Sequence, residues 1–413
     1  MAAGSTLLDK VWDLHVVARL GGDYDLLHVD RHLIHDLSGT HALKRLAELG
    51  RPVRNPALNF ATPDHTVSTA PSGDADGPFA ARCVVPLREL SREHGIRLFD
   101  VHEPGHGIVH IMGPELGLTL PGVTLVCGDS HTCTHGALGA LAWGIGLSEV
   151  SHVLATQTVI QRKPKRLRVT VDGRLRPGVT AKDLILCLIG REGAAAGDGF
   201  AVEYAGPAIR ALTVEARMTV CNLSIEMGAK VGMVAPDEAT LDYVAGRRFA
   251  PEGALWDLAV AHWRQLPSDD GAEFDREIGV DADAVAPQVT WGTSPEHVIA
   301  VNERVPDPAR EPDPGRRQAM VAALDYVGLA PGMAIEGLEV EHVFIGSCTN
   351  SRLSDLRAAA RVIQGRKVAE GVRAWVVPGS RQVKLEAEAE GLDTTFRAAG
   401  FEWREPGCSM CVA

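Results

Sequence analysis

The chain has few aromatic residues, no long apolar run, no surplus of basic side chains and no regular cysteine framework. Each shortage removes a class of protein. Aromatics make up 5% of the 413 residues, so the cores must rest on Ala, Val, Leu and Ile. No stretch approaches the ~18 consecutive apolar residues of a membrane span. Residues 1–20 carry Asp9, Lys10, Asp13 and His15 inside their apolar pattern, unlike a signal peptide. Basic residues number 41 against 53 acidic ones, for a net charge of −12. A nucleic-acid binder would show a basic surplus or stripe. The two basic clusters here, Arg162 to Arg168 and Arg361 to Lys367, are short and read as solvated faces. The 8 cysteines follow no disulfide pattern. They point to a reducing compartment, where thiols more often serve metals or catalysis. A cytoplasmic protein is expected, with no membrane span and no nucleic-acid partner.

A chain of this length exceeds one core and implies two or three domains. Leu26 to Asp30 reads as a strand, and the short apolar runs Leu58 to Thr62 and Val123 to Cys127, bounded by turn residues, predict buried strands. Leu167 to Gly173 alternates as a strand, and Val340 to Ile345 and Ala374 to Val377 predict two more. Helices are predicted over Ala42 to Leu49, Ala181 to Ile189 and Leu353 to Ile363. The small-residue stretch from Gly136 to Thr158 reads as close-packed helices, Gly190 to Gly199 as a loop, and the proline-bearing Val305 to Gly315 as a linker. Repeated strand–turn–helix units predict an α/β fold with mostly parallel sheets. The expected regions are 1–165, 166–300 and 301–413.

Chemistry concentrates in two sets of residues. Cys348 follows the apolar run Val343 to Ile345, at the carboxyl end of a predicted strand, where ligands of α/β sheets collect. Sixty residues on, Cys408 and Cys411 form a Cys-x-x-Cys pair on a glycine turn. Three thiols fit an iron–sulfur cluster with one iron lacking a protein ligand, an asset in a Lewis-acid enzyme. Spacing alone leaves a zinc site and a structural terminus open as well, although no second Cys-x-x-Cys completes a zinc set.

The second set is histidines beside carboxylates: Asp64-His65, Glu103 to His110, and Asp129-Ser130-His131. Such groups can supply the base and acid that dehydration of a hydroxy-acid needs. His15, His94, His152, His262 and His342 read as structural. Asp129-Ser130-His131 is no hydrolase triad, because three consecutive residues cannot point at one another and no nucleophile elbow surrounds the serine. The glycines from Gly136 to Gly146 do not fit a dinucleotide fingerprint. Asn222 and Glu226 stand four apart and would share a helix face.

Asp64-His65, Gly107 to His110, Gly128 to Thr132, Cys221-Asn222 with Glu226, Gly346 to Ser351 and the closing Cys408-x-x-Cys411 occur in an order that resembles the aconitase family over essentially the whole chain. Val289 to Thr293, Ala181 to Leu184, and Pro378 to Ser380 with Val383-Lys384 are similar to one branch of it. That branch isomerises 2-isopropylmalate to 3-isopropylmalate in leucine biosynthesis; homoaconitase and other small hydroxy-acid hydro-lyases are near relatives. The resemblance implies a three-domain α/β/α architecture around a central cluster, lacking a swivelling fourth domain that a separate small subunit supplies. It implies a [4Fe-4S] cluster on Cys348, Cys408 and Cys411, with one iron binding a dicarboxylic hydroxy-acid. Asp64 and His65 would protonate the leaving hydroxyl, Asp129 would pair with His110, and Glu226 with His131. Asn222 would lie by the cluster and Ser130 would line the substrate site. His35 aligns where aconitase itself has a glutamine. The base would be a serine of the small subunit. The resemblance also implies a further segment with an Asn-Arg-x-Phe-x-Gly-Arg motif, whereas the sequence stops at Ala413, two residues past Cys411. A third region truncated at its C-terminus is therefore expected, with a weakly held or missing cluster and, as an alternative, an inactive apo form.

Overall fold

The computed structural model describes residues 4–71 and 77–411. The expected truncation concerns a terminus, Val412 and Ala413, outside those residues. Three parallel sheets carry the architecture, as the strand–turn–helix pattern predicts. The first has five strands in the order Arg97–Leu98, Asn59–Thr62, Arg31–His35, Thr124–Cys127 and Leu141–Gly144. Every neighbouring pair is parallel. The strands Asn59–Thr62 and Thr124–Cys127 are buried along their whole length, because helices cover both faces. The order reverses between Arg31–His35 and Thr124–Cys127, whose connections leave in opposite directions. That switch point opens a crevice at the strands' carboxyl ends, beside His35, Asp36, Gly128 and Asp129.

The second sheet runs Val231–Val234, Phe200–Ala205, Lys165–Asp172 and Arg276–Asp281, again all parallel. The third has His342–Ile345, Arg373–Val376 and Glu402–Trp403. A three-stranded antiparallel sheet and the hairpin Gln288–Thr290/Val298–Ala300 are peripheral. The largest core runs from Leu7 to Val285 across the first two sheets. The third sheet has its own core around Leu356, Val376 and Phe396, joined by Ile108 and Ile111 from the first region. The first two sheets meet where the 3-10 segment Ser130–Leu138 lies on Val231–Val234. A Cβ at Gly136 would stand 1.8 Å from the Gly232 carbonyl, so only glycine permits the approach.

Three local expectations are corrected. The stretch from Gly136 to Thr158 is not wholly helical: Leu141–Gly144 is a strand, and the helix covers Leu147–Thr156. A buried four-residue apolar run carries no period that separates strand from helix. Gly190 to Gly199 is only partly loop, since its helix continues to Glu192. Val305 to Gly315 is packed rather than free. Val305 joins a core with Trp291, Ile299 and Leu324, and Pro314 opens the helix Pro314–Val327 behind an Asp313 cap.

Asp30 pins the strand Arg31–His35 on the way to the crevice. Its carboxylate accepts from the Thr124 N–H at 2.9 Å and lies 2.6 Å from His15 Nε2. Burial opposes the charged forms of both groups, but their mutual hydrogen bond outweighs it, raising His15 and lowering Asp30 from their ordinary values. The raised His15 stabilises fully below its unfolded value of 6.5 and loses this as pH rises through its folded value; the lowered Asp30 stabilises above 3.8 and loses this as pH falls through its folded value. Asp30→Asn is therefore expected to cost about 2 kcal/mol at about pH 5.5 and measurably less near pH 9. Urea unfolding at both pH values checks it, and an equal cost at both would remove the ion pair from the account.

Candidate active site

The crevice is built from strand ends. Asn59–Thr62 leads through Pro63 to Asp64 and His65, Thr124–Cys127 leads through Gly128 to Asp129, and Arg31–His35 ends on His35 and Asp36. His65 lies between two carboxylates, with Nδ1 2.6 Å from Asp64 Oδ1 and Nε2 3.2 Å from Asp129 Oδ2. Both ring nitrogens face acceptors, so both carry protons. Burial opposes that charge, but Asp64 and Asp129 outweigh it and hold the imidazolium well above its ordinary value. Asp64 is fully buried, and its second oxygen accepts from the Val109 N–H at 2.9 Å. Burial would raise its carboxyl, but the His65 charge holds it below the ordinary value.

Asp129 is the common partner. Its Oδ1 lies 2.9 Å from His110 Nε2 and accepts from the His131 N–H at 2.7 Å. Burial opposes ionisation, yet His110, His131 and His65 together hold Asp129 well below the usual carboxylate range. His131 Nε2 stands 3.1 Å from Glu226 Oε1. Burial would lower His131, but Asp129 and Glu226 raise it to about 11, while the His131 hydrogen bond lowers Glu226. His35 lies against His65 with ring centroids 4.4 Å apart and planes tilted by 35°, and its Nε2–H meets the Gly128 carbonyl at 3.0 Å. Ser130 is exposed at the start of the 3-10 segment that Asp129 caps.

Cys348 follows His342–Ile345, and the turn after Glu402–Trp403 carries Cys408 and Cys411. The Cys408 N–H donates to the Asp64 carbonyl at 2.7 Å, tying the thiol pair to the acid–base pair. Cys348 and Cys408 are buried and Cys411 is exposed. Asn222 donates to Cys348 Sγ at 3.4 Å and to Thr134 Oγ1 at 2.8 Å, while its carbonyl accepts from Thr349. Donor atoms of His65, Cys408 and Cys411 lie within 4.8 Å of one another. His65 spends both N–H groups on carboxylates and has no lone pair for a metal. The remaining donors are thiols, which fit an iron–sulfur group, while a thiol-only zinc site would need four of them.

Of the twelve predicted site residues, Asp64, His65, His110, Asp129, His131 and Glu226 are joined by side-chain contacts, His35 lies against His65, and Asn222 contacts Cys348. Cys408 and Cys411 gather with His65 but not with Cys348, and Ser130 stands exposed beside Asp129. Two further residues escaped the sequence reading. Asp36, fully buried, accepts from the N–H groups of Asp64, His65 and Thr66 at 2.9, 3.0 and 2.8 Å, and from the Thr66 hydroxyl. The second is His135, 3.1 Å from His110. Asp36 could have been suspected from its place beside His35 at a strand's carboxyl end; nothing in the sequence sets His135 apart from an ordinary buried histidine.

A parallel α/β scaffold with an acid–base cluster at a switch point, and a thiol pair from another sheet brought against it, fits an enzyme of the hydro-lyase kind. The family model for the aconitase family (aconitate hydratase) matches residues 9–413, and the chain belongs to that family. It is 62% identical over 410 residues to the 3-isopropylmalate dehydratase large subunit 1 of Bradyrhizobium diazoefficiens, covering 99% of this chain and 86% of the relative.

Asp36→Asn keeps the shape but offers one acceptor oxygen where the turn needs two. It is expected to cost about 2–4 kcal/mol of stability in urea unfolding, through N–H groups left buried and unpaired. A loss below about 0.5 kcal/mol would mean the Asp64–His65 turn holds itself.

Proposed function

We propose that this chain is the large subunit of a 3-isopropylmalate dehydratase, isomerising 2-isopropylmalate to 3-isopropylmalate by dehydration and rehydration. The observation that carries the reading is the His65 imidazolium, clamped between Asp64 and Asp129 beside the thiols of Cys408 and Cys411. Cys348, Cys408 and Cys411 would hold a [4Fe-4S] cluster, which when bound supplies a Lewis acid for the substrate's hydroxyl and a neighbouring carboxylate. His65, with Asp64 behind it, gives its proton to the departing hydroxyl. The C–O bond breaks, water leaves, and a proton from the adjacent carbon passes to a base on the partner small subunit. Water then adds across the alkene in the opposite sense, His65 taking a proton back. Asp129 and Glu226 hold His110 and His131 around the reacting hydroxyl, Ser130 lines the mouth, Asn222 steadies Cys348, and His35 fixes the plane of the His65 ring. Residues 1–165, 166–300 and 301–413 would each contribute one of the three sheets as a domain, and the cytoplasm is the proposed compartment.

The test is turnover of the chain assembled with its small subunit after anaerobic loading with iron and sulfide. Conversion of 2-isopropylmalate should exceed that of homocitrate and citraconate. A clear preference for either competitor would reassign the substrate. Uptake of zinc alone, with no labile sulfide, would sink the cluster. His65→Gln should lower kcat about 10²–10⁴-fold with a smaller change in KM.

A further inference from the structure

The hydrogen-bonded line at the site does not stop at His110. His110 Nδ1 lies 3.1 Å from His135 Nε2, and His135 Nδ1 lies 2.6 Å from Thr119 Oγ1. All three residues are buried, and the two rings meet edge to face at 70°. The packing makes room for this contact: a Cβ at Gly113 would stand 2.9 Å from His135 Cε1 and 3.5 Å from the Thr119 hydroxyl. Burial, with repulsion from His110 and Arg352, holds His135 well below the ordinary histidine value, so it is neutral and carries one ring proton.

A neutral ring between a histidine and a hydroxyl can take either of two tautomers. When His110 is neutral, the Thr119 hydroxyl donates to His135 Nδ1, and His135 Nε2–H donates to His110 Nδ1. The proton of His110 then sits on Nε2, facing Asp129. When His110 is charged, it donates from both nitrogens, His135 accepts on Nε2, and its Nδ1–H is taken by the Thr119 oxygen. A threonine hydroxyl suits this place because it both donates and accepts. We propose that His135, backed by Thr119, is a positioning residue that keeps a proton on His110 Nε2 against Asp129 in both states. Asp129 thereby always receives that hydrogen bond and remains an anion opposite His65. The inference deepens the proposed reaction and rests on it only for its effect on turnover.

Two measurements test it. The first is a long-range ¹⁵N spectrum of the histidine-labelled chain, which reads the protonated nitrogen of His110 without substrate or cluster. Wild type should show His110 protonated at Nε2. His135→Leu should turn it into a mixture with the Nδ1–H form, and His135→Gln, whose amide can still donate to His110 Nδ1, should restore it. If His135→Leu does not fold, Thr119→Val keeps the shape of the site while removing the hydroxyl, and the Nε2–H population should fall there instead. The second is kcat and KM of the loaded two-subunit enzyme. His135→Leu should lower kcat roughly 10–100-fold with KM within about twofold, and His135→Gln should recover most of it. A wild-type His110 lacking the Nε2 proton would overturn the proposal. So would an unchanged spectrum in His135→Leu, or in Thr119→Val where that variant stands in, even if activity falls. Lack of turnover in wild type as well would count against the assigned reaction while leaving the tautomer result to stand or fall alone.

Discussion

Asp129 is a largely buried anion shared by three imidazoles. His65 and His110 reach its two oxygens at 3.2 and 2.9 Å, and His131 adds its backbone N–H at 2.7 Å and its ring beyond. An unpaired carboxylate in such a place would be neutralised or expelled, because burial penalises the charge. The surrounding histidines make the charge tolerable, and in return the charge fixes their rings. The dependence is mutual: His65 can carry its proton only between two anions, and His131 only between Asp129 and Glu226. Removing the central carboxylate would loosen every acid–base group at once.

The backbone makes that crowding possible. Three neighbouring strands of one parallel sheet end side by side and hand over Asp64 with His65, His35 with Asp36, and Asp129, all within three residues of the strand ends. Two further elements come from outside the sheet. Asn222 ends the helix Val214–Asn222 and Glu226 lies in the next turn, both brought in by the second sheet. The thiols come from the third sheet, anchored by the Cys408 N–H on the Asp64 carbonyl. The positions of thiols and acid are thus coupled through backbone, which resists displacement far better than side-chain contact alone.

How far this was legible in the sequence follows from which forces are local. Strand ends and their candidates could be read because buried strands are short apolar runs and reactive residues cluster after them. The parallel α/β class followed from alternation, and Leu353–Ile363 came out residue for residue because its amphipathic period is strong. Leu141–Gly144 was lost because four buried residues have no distinctive period. The packing of Val305 was lost because proline marks irregular backbone without saying whether it is buried. Asp36 and His135 were missed for a different reason. Their importance lies in partners 28 to 30 and 25 residues away, fixed by the order of strands in the sheet, which no local pattern encodes.

The charges at the site also say what it is suited to do. Gathered there are two imidazoliums, His65 and His131, and three carboxylates, Asp64, Asp129 and Glu226. Each positive charge is already spent on two of the negative ones. Arg352, nearby and buried, turns its guanidinium to the carbonyls of Thr349 and Cys348. Such a set is suited to moving a proton and unsuited to holding a dianion, since an added carboxylate would find no free cation among these groups. The proposed dicarboxylic substrate would then draw the cations for its carboxylates from outside this set. That division would separate proton transfer, built into the crevice, from substrate binding, completed by groups beyond it.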